Sequence, residues 1–365
     1  MADGPIRFVL VGGFLGAGKT TAIARLARMY RDRGLRVGII TNDQADDLVD
    51  TLSLRAQGFD VGEVSGACFC CHFNELTRSA AELTAGARPD VILAEPVGSC
   101  TDLVATVVRP LMRYFGGEYE VGPYCVLVKP EYASRLLDGD EAALASGTSY
   151  IFRKQLEEAD VILINKVDAL DAVQVGRLDR LARETNPAAS ILHASARTGE
   201  GFDSLIDRLD GEGPIGARQL DVDYDAYADG EAELGWLNAT AQIRSPQPIS
   251  VDDLVLSIAR RIGDSLPGED ADIAHLKVAA RSGPLHGVAS VVDNRGGAAL
   301  SIPAAGRSDD VAVTVNARVA MEPAILEDTV RRVLADACGE RGLSLEVRDV
   351  RSFRPGRPVP VHRLS

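Results

Sequence analysis

The sequence has no apolar run long enough to cross a bilayer. Its first residues, Met1-Ala2-Asp3-Gly4-Pro5, carry neither the basic start nor the apolar stretch of a signal peptide. A cytoplasmic protein that does not engage membranes is expected. Positive charge is also short: 39 Lys and Arg stand against 53 Asp and Glu, a net charge of −14. That balance excludes a nucleic-acid binder held by phosphate contacts. Histidine is sparse and scattered, at His72, His193, His275, His286 and His362, so there is no histidine-rich metal store. Cysteine is sparse too, but not scattered: of Cys68, Cys70, Cys71, Cys100, Cys125 and Cys338, three fall within four residues. In a reducing compartment such a cluster points to metal binding or redox chemistry and away from a disulfide framework.

Against these absences stands one dense motif. Gly13-Phe14-Leu15-Gly16-Ala17-Gly18-Lys19-Thr20 fits the phosphate-loop pattern G-x-x-x-x-G-K-[ST] at every fixed position. It follows an apolar run, Ile6 to Val11, that reads as a buried strand, and precedes a stretch from Thr21 with helical spacing. A loop between strand and helix aims successive backbone N–H groups at one anion, and the helix N-terminus adds partial positive charge. Lys19 then reaches the β- and γ-phosphates, and the Thr20 hydroxyl ligates Mg²⁺. A nucleoside triphosphate is expected.

The following runs fit an α/β fold, a mostly parallel sheet flanked by helices. Leu35 to Thr41 reads as a second strand, with Asn42-Asp43-Gln44 at its end, where ligands of such folds bind. Asp43 is therefore a candidate for Mg²⁺ or the attacking water. A helix is expected over 45–57, another from Phe73 to Gly86, and a strand over Val91 to Ala94 that ends in Glu95-Pro96-Val97-Gly98. Glu95 is placed to hold Mg²⁺ through water, and Gly98 to offer its N–H to the γ-phosphate. A helix is expected from Asp102 to Phe115, strands over Tyr124 to Val128 and Asp160 to Ile164, and a helix from Tyr150 to Glu158 between them.

The strand Asp160 to Ile164 ends in Asn165-Lys166-Val167-Asp168, the spacing N-K-x-D of a guanine reader. The Asp168 carboxylate accepts from the ring N–H and exocyclic amine of guanine. Adenine offers neither in that arrangement and would leave the carboxylate unpaired, at a cost of about 1–3 kcal/mol or more. Asn165 and the Lys166 stem shape the base pocket. The next strand, Ser190 to His193, leads to Ala194-Ser195-Ala196-Arg197, a short loop whose backbone at Ser195 and Ala196 supports guanine.

Between the two acidic strand ends lies Cys68-Phe69-Cys70-Cys71. Thiolates select soft ions such as Zn²⁺ or Cu(I), and a sharp turn lets three of them meet one ion. His72, Cys100, water or a partner's side chain are the candidates for a fourth position. A redox pair is the competing reading, although the spacing is not C-x-x-C.

Residues 211–235 read as an acidic linker. Residues 236–352 alternate strand and helix as β-α-β, twice, which fits a small ferredoxin-like α+β domain. Residues 353–365, basic and carrying Pro355, Pro358 and Pro360, read as a surface extension.

Taken together, Gly12 to Thr21, the C-x-C-C motif, Glu95 to Gly98 and Gln155 to Asp168 resemble the CobW/HypB/UreG family of GTPases, closest to its CobW-like metallochaperone branch. The resemblance covers roughly the first 210 residues, a plausible single domain. It implies that Gly13, Gly16, Ala17, Gly18, Lys19, Thr20, Thr21 and Gly98 hold the nucleotide. It also implies that Cys68, Cys70 and Cys71 bind zinc, or cobalt or nickel, and that GTP hydrolysis to GDP drives metal transfer to a client protein. The chain departs from the CobW pattern at Asp43, Ala67 and Lys129. No arginine finger is assignable, so slow intrinsic turnover is expected, with a partner or a homodimer completing the site. Two rival readings are a GTPase chaperone that gates corrinoid loading of an enzyme and a non-catalytic sensor of GTP and metal.

Overall fold

Val91-Ile92-Leu93-Ala94-Glu95 and Val161-Ile162-Leu163-Ile164 are buried at every position. Strands this uniformly apolar are covered on both faces, which parallel sheets require. The protein, described here by a computed structural model, has residues 4–42, 49–66, 68–139, 147–266, 273–291 and 297–365 described. They fall into two units. The first comprises Met1–Asp46, Gly58–Gly230 and Arg357–Ser365; the second comprises Asp47–Gln57 and Glu231–Gly356.

In the first unit, β1 (Ile6–Gly13), β2 (Val37–Asn42), β3 (Asp60–Val64), β4 (Val91–Glu95), β5 (Tyr119–Val121), β6 (Cys125–Val128), β7 (Val161–Ile164) and β8 (Ser190–His193) form an eight-stranded sheet. Its order is β3-β2-β4-β1-β6-β7-β8, with β5 also on β1, and every pairing is parallel. Parallel pairing sends every strand's C-terminal end to the same edge. Helices α1 (Lys19–Asp32), α3 (Phe73–Ala85), α4 (Arg109–Phe115), α5 (Pro130–Leu137), α6 (Gly147–Glu158), α7 (Ala172–Thr185), α8 (Phe202–Asp210) and α9 (Tyr224–Ala232) belong to this unit, while α2 (Val49–Ala56) belongs to the second. On α1, Ala22, Ile23, Leu26, Ala27 and Tyr30 form the buried stripe that its helical spacing dictates.

The second unit is an antiparallel sheet of β9 (Gly235–Ser250), β10 (Ile273–Ser282), β11 (Leu285–Val291), β12 (Ala298–Ile302), β13 (Arg307–Val319) and β14 (Ser344–Phe353), in the order β12-β11-β10-β13-β9-β14. With α10 (Val251–Ser265) and α11 (Pro323–Gly339), strands β9, β10, β13 and β14 make the βαββαβ arrangement of a ferredoxin-like fold, widened by the inserted strands β11 and β12. Its core joins Leu254, Ile258 and Ile262 of α10 and Leu326, Val330 and Leu334 of α11 to Val278, Val313 and Val315 of the sheet. Val49 of α2 packs on Ala279 and Val288 of this unit, so the helix expected over 45–57 belongs here and not with the nucleotide motifs. Among the described residues no helix is long and apolar enough to cross a membrane.

Two further segments differ from the sequence reading. The stretch read as an acidic linker contains α9, and its Tyr227 is fully buried, the hydroxyl accepting from Thr101 N at 3.3 Å. The acidic composition conceals one tyrosine that fixes the segment. The helix expected from Asp102 is a widened π-helical turn, Val104–Val108, before α4. Asp102 itself has φ 61°, and Pro110 supplies no N–H to the carbonyl four residues before it.

This widened turn is tied down by Glu158, the last residue of α6. Its buried carboxyl accepts from Thr101 Oγ1 at 3.1 Å and Val104 N at 3.0 Å. Burial pushes its pKa up to about 8, well above an ordinary glutamate. The neutral form is the one the fold prefers. Its contribution is complete below the unfolded value, about 4.3, and is lost as pH rises through 8. Glu158→Gln, which is neutral at every pH, should match the wild type in thermal unfolding at pH 5 and exceed it by several degrees at pH 9. Parallel melting curves at both pH values would refute this assignment.

Candidate functional site

The phosphate loop runs from the end of β1 into α1. Gly18 caps α1 at φ 93°, in the left-handed region where a Cβ is strained, and a Cβ there would also lie 2.6 Å from Asn165 Nδ2. Lys19 is buried, its Nζ 3.5 Å from the Phe14 carbonyl, so the ammonium lies over the loop it serves. The Thr20 hydroxyl donates to Glu95 Oε1 at 3.0 Å. A hydroxyl and a carboxylate side by side at a helix N-terminus are hard oxygen donors of the kind Mg²⁺ takes. Gly98 lies against the same loop: a Cβ on it would meet Leu15 Cδ2 at 2.7 Å and Leu15 N at 3.0 Å. The segment around it is pinned by Gln155, whose Nε2 donates to the carbonyls of Gly98 at 3.0 Å and Cys100 at 2.8 Å. Asp43 lies outside the described residues.

The base-reading residues converge on the same loop. Asn165, buried at the end of β7, donates from Nδ2 to the Ala17 carbonyl at 2.8 Å and accepts at Oδ1 from Ala196 N at 3.0 Å. One amide thus ties phosphate loop, N-K-x-D turn and Ser195 loop together. Lys166 takes a left-handed φ of 62°, and its Nζ pairs with Glu131 at 2.6 Å. At Asp168, Ser195 Oγ donates to Oδ1 at 2.5 Å and the Arg197 guanidinium pairs with Oδ2. The Ser195 hydrogen bond first, then Arg197, hold the carboxyl below the usual aspartate range, so it is a carboxylate at neutral pH. Arg197 is 77 % exposed. Its N–H groups do for Oδ2 what an exocyclic amine of guanine would do, at a position solvent reaches.

The cysteine motif turns at once after β3. Cys71 N and His72 N both donate to the Cys68 carbonyl, at 3.0 and 2.9 Å, before α3 begins at Phe73. The sulfurs are brought together: Cys68 to Cys70 at 2.8 Å, Cys68 to Cys71 at 3.5 Å, and Cys70 to Cys71 at 3.7 Å. A tetrahedral zinc about 2.3 Å from each sulfur would space them about 3.8 Å apart. Two edges of the triangle already have that size, and the third needs to open by about 1 Å. Cys68 and Cys70 are buried and Cys71 is half-buried. Hydrogen bonds from Cys100 first, then from Cys70 and Cys71, hold Cys68 well below the usual thiol value. Its neighbour Cys70 is pushed well above that value, by its bond to Cys68 first. Cys71 rises to about 11 for the same first cause. Cys68 is therefore the sulfur of the three whose charge its neighbours favour, a ready first ligand for a cation. His72 pairs with Glu75 at 3.5 Å, while the Cys100 thiol meets Cys68; among the described residues the mutually close set is Cys68, Cys70 and Cys71.

One residue that the sequence reading left without a role joins the two sites. Asn42, the last of β2, accepts from Phe69 N at 2.9 Å and donates to the Val64 carbonyl at 2.9 Å. Its neighbour Thr41 is paired with Glu95 across the sheet. The only signal for it in the sequence was its place at a strand end.

Comparison with known proteins agrees with these motifs. The profile of the family described as CobW/HypB/UreG, nucleotide-binding domain, matches residues 7–193. Among curated proteins, the urease accessory protein UreG 2 of Bradyrhizobium is 29% identical over 214 residues, covering 55% of this chain and 89% of that protein. The zinc chaperone CobW of Sinorhizobium is 29% identical over 190 residues, 47% of this chain and 53% of that protein. The zinc chaperone YeiR of Escherichia coli is 28% identical over 193 residues, 51% of this chain and 54% of that protein. The chain thus spans about half the length of those two zinc chaperones. Among solved structures, the Zn(II)-bound YjiA GTPase of E. coli aligns over 92% of this chain and 99% of its own at 15% identity and a TM-score of 0.40.

The Asp168 geometry gives a direct test. Asp168→Asn should weaken GTP binding by roughly 100-fold, because two charge-assisted hydrogen bonds are lost. Xanthosine triphosphate, which carries a carbonyl where guanine has its amine, should lose far less or gain. Equal losses for both nucleotides, measured by titration, would show that the base is read elsewhere.

Proposed function

This chain belongs to the CobW/HypB/UreG family, and from that premise we propose that it is a GTPase whose nucleotide state governs its hold on a thiolate-bound divalent ion, zinc foremost, that it passes to a client metalloprotein. The observation that carries the coupling is a short path of side-chain hydrogen bonds and strand pairing between the two sites. Thr20 of the phosphate loop bonds Glu95; Glu95 is cross-strand neighbour to Thr41; and the next residue, Asn42, holds the Phe69 amide inside the cysteine turn. A shift at the γ-phosphate end has a polar, buried route to the sulfurs only a few residues long. Supporting the cargo are the three-sulfur geometry and the names of relatives such as the zinc chaperones CobW and YeiR.

Hydrolysis here is positioning more than covalent chemistry. Water attacks the γ-phosphorus and GDP leaves. Lys19 brings positive charge to the β- and γ-phosphates, Gly98 offers its backbone N–H to the γ-phosphate, and Asn165 with Asp168 fixes the base. Thr20 and Glu95 are the residues that would hold Mg²⁺, which when bound offsets charge on the phosphate oxygens. Asp43 is retained as the candidate for orienting water.

The reading is tested by titrating zinc into the protein with GDP and with a non-hydrolysable GTP analogue. Affinities should differ by roughly 5–150-fold, and the analogue's own affinity should change by the same factor when zinc is added. Replacing Cys68, Cys70 and Cys71 by Ser should abolish zinc binding and leave analogue binding near normal. Asn42→Ala should keep both bindings and bring the coupling factor close to one. Equal zinc affinities in the two nucleotide states would refute the proposal.

A further inference from the structure

The segment Arg357–Ser365, read from sequence as a surface extension, lies along the cysteine motif. Its sequence, Arg-Pro-Val-Pro-Val-His-Arg-Leu-Ser, alternates proline with residues that keep an N–H. The prolines fix φ and hold the chain extended. The amides between and after them are the ones used: Val359 N donates to Cys71 Sγ at 3.2 Å, and Val361 N donates to the Cys70 carbonyl at 2.9 Å. Leu364 N continues the contact, donating at 2.8 Å to the carbonyl of Ala105 in the π-helical turn. The His362 ring stands edge-on to Phe73, the first residue of α3, with centroids 5.1 Å apart.

The segment is latched at Asp102. The carboxylate there is almost wholly buried, and Oδ2 accepts from Arg363 Nε at 2.8 Å and from Tyr224 OH at 2.7 Å. A second guanidinium N–H of Arg363 reaches the Leu220 carbonyl at 2.9 Å. A charge-assisted pair with one partner buried is far stronger than an exposed surface pair. Asp102 is two residues after Cys100 and belongs to the segment that Gln155 and Glu158 hold.

We propose that Arg357–Ser365 is a strap that forms part of the metal centre: the Val359 amide positions and solvates the Cys71 sulfur, and the Arg363–Asp102 latch sets how fast the ion exchanges. Cys71 is the half-buried sulfur of the three, the side from which an ion or an incoming ligand reaches the cluster. An N–H···S bond stabilises charge on that sulfur, so the strap favours the loaded state as well as covering it. The inference rests on the reading of Cys68, Cys70 and Cys71 as a metal site.

The test uses the full chain, Arg363→Ala, Arg363→Lys, and a chain ending at Gly356. Each is loaded with zinc and mixed with excess chromogenic chelator. Release should be at least about tenfold faster from Arg363→Ala and from the shortened chain than from the wild type, with Arg363→Lys in between. Affinity for the GTP analogue should stay within about twofold in all, which reports an intact first unit. In the metal-free protein, alkylation of Cys71, followed by mass spectrometry, should accelerate in the same order. Equal release and equal alkylation rates in Arg363→Ala and wild type would overturn the strap. A wild type that binds no zinc would instead defeat the metal reading, and the alkylation series would still decide whether the segment protects Cys71.

Discussion

Parallel pairing of β1 with β4 on one side and β6 on the other is the constraint from which the site follows. Because β2, β4, β1, β6, β7 and β8 all run the same way, Asn42, Glu95, the phosphate loop, Asn165 and the Ser195 loop emerge at one edge. Asn42 and Glu95 are the last residues of buried strands, the phosphate loop and Asn165 follow directly on buried strands, and the Ser195 loop follows the half-buried β8. No long-range steering is needed to bring them together; strand order and direction suffice. What the side chains add is register. The Asn165 amide, with its carbonyl on Ala196 N and its NH₂ on the Ala17 carbonyl, fixes the base-reading turn to the phosphate loop within hydrogen-bond tolerance.

The segment from Glu95 to Val104 carries the second level of organisation. It is irregular, it is buried, and irregular buried backbone must find partners for its polar groups. Gln155 and Glu158, one turn apart on α6, supply them, at Gly98, Cys100, Thr101 and Val104. A neutral Glu158 suits this task, because its burial disfavours charge. The rigid piece so formed begins at the carboxylate beside Thr20 and ends at the carboxylate that latches Arg363. Nucleotide loop, cysteine cluster and strap therefore share one scaffold of hydrogen bonds.

The candidate nucleotide and metal motifs could be read from the sequence because each is contiguous: Gly13 to Thr20, Asn165 to Asp168 and Cys68 to Cys71 are each a single short stretch of chain. Asn42 was not legible as a link, since its partner Phe69 is 27 residues away and nothing local marks the pair. Asp102 and Arg363 are further apart still, 261 residues, each a plain charged residue in isolation. Composition misled at α9, where an acidic stretch hides the buried Tyr227, while the helix that periodicity finds up to Phe115 is π-helical over Val104–Val108, a widening that periodicity does not show. The helix α2 shows a different limit: periodicity finds a helix, but sequence adjacency to β2 does not say which core its apolar face joins. Contiguous motifs declare chemistry; the polar contacts that couple them are set by topology.

The cysteine cluster fits a carrier better than a permanent structural site for a reason of coordination. Structural zinc is closed by four protein ligands, whereas a site that exchanges its ligand keeps one position open. Here, among the described residues, three sulfurs lie mutually close, and a further thiol, Cys100, meets Cys68 as a hydrogen-bond partner. The half-buried Cys71 faces the strap, whose Val359 amide bonds its sulfur. Amides stabilise thiolate charge without binding the ion. In the proposed carrier role, a covering of that kind would slow escape while leaving the coordination sphere incomplete, and an incomplete sphere would let a client's ligand enter before the chain's own sulfurs let go.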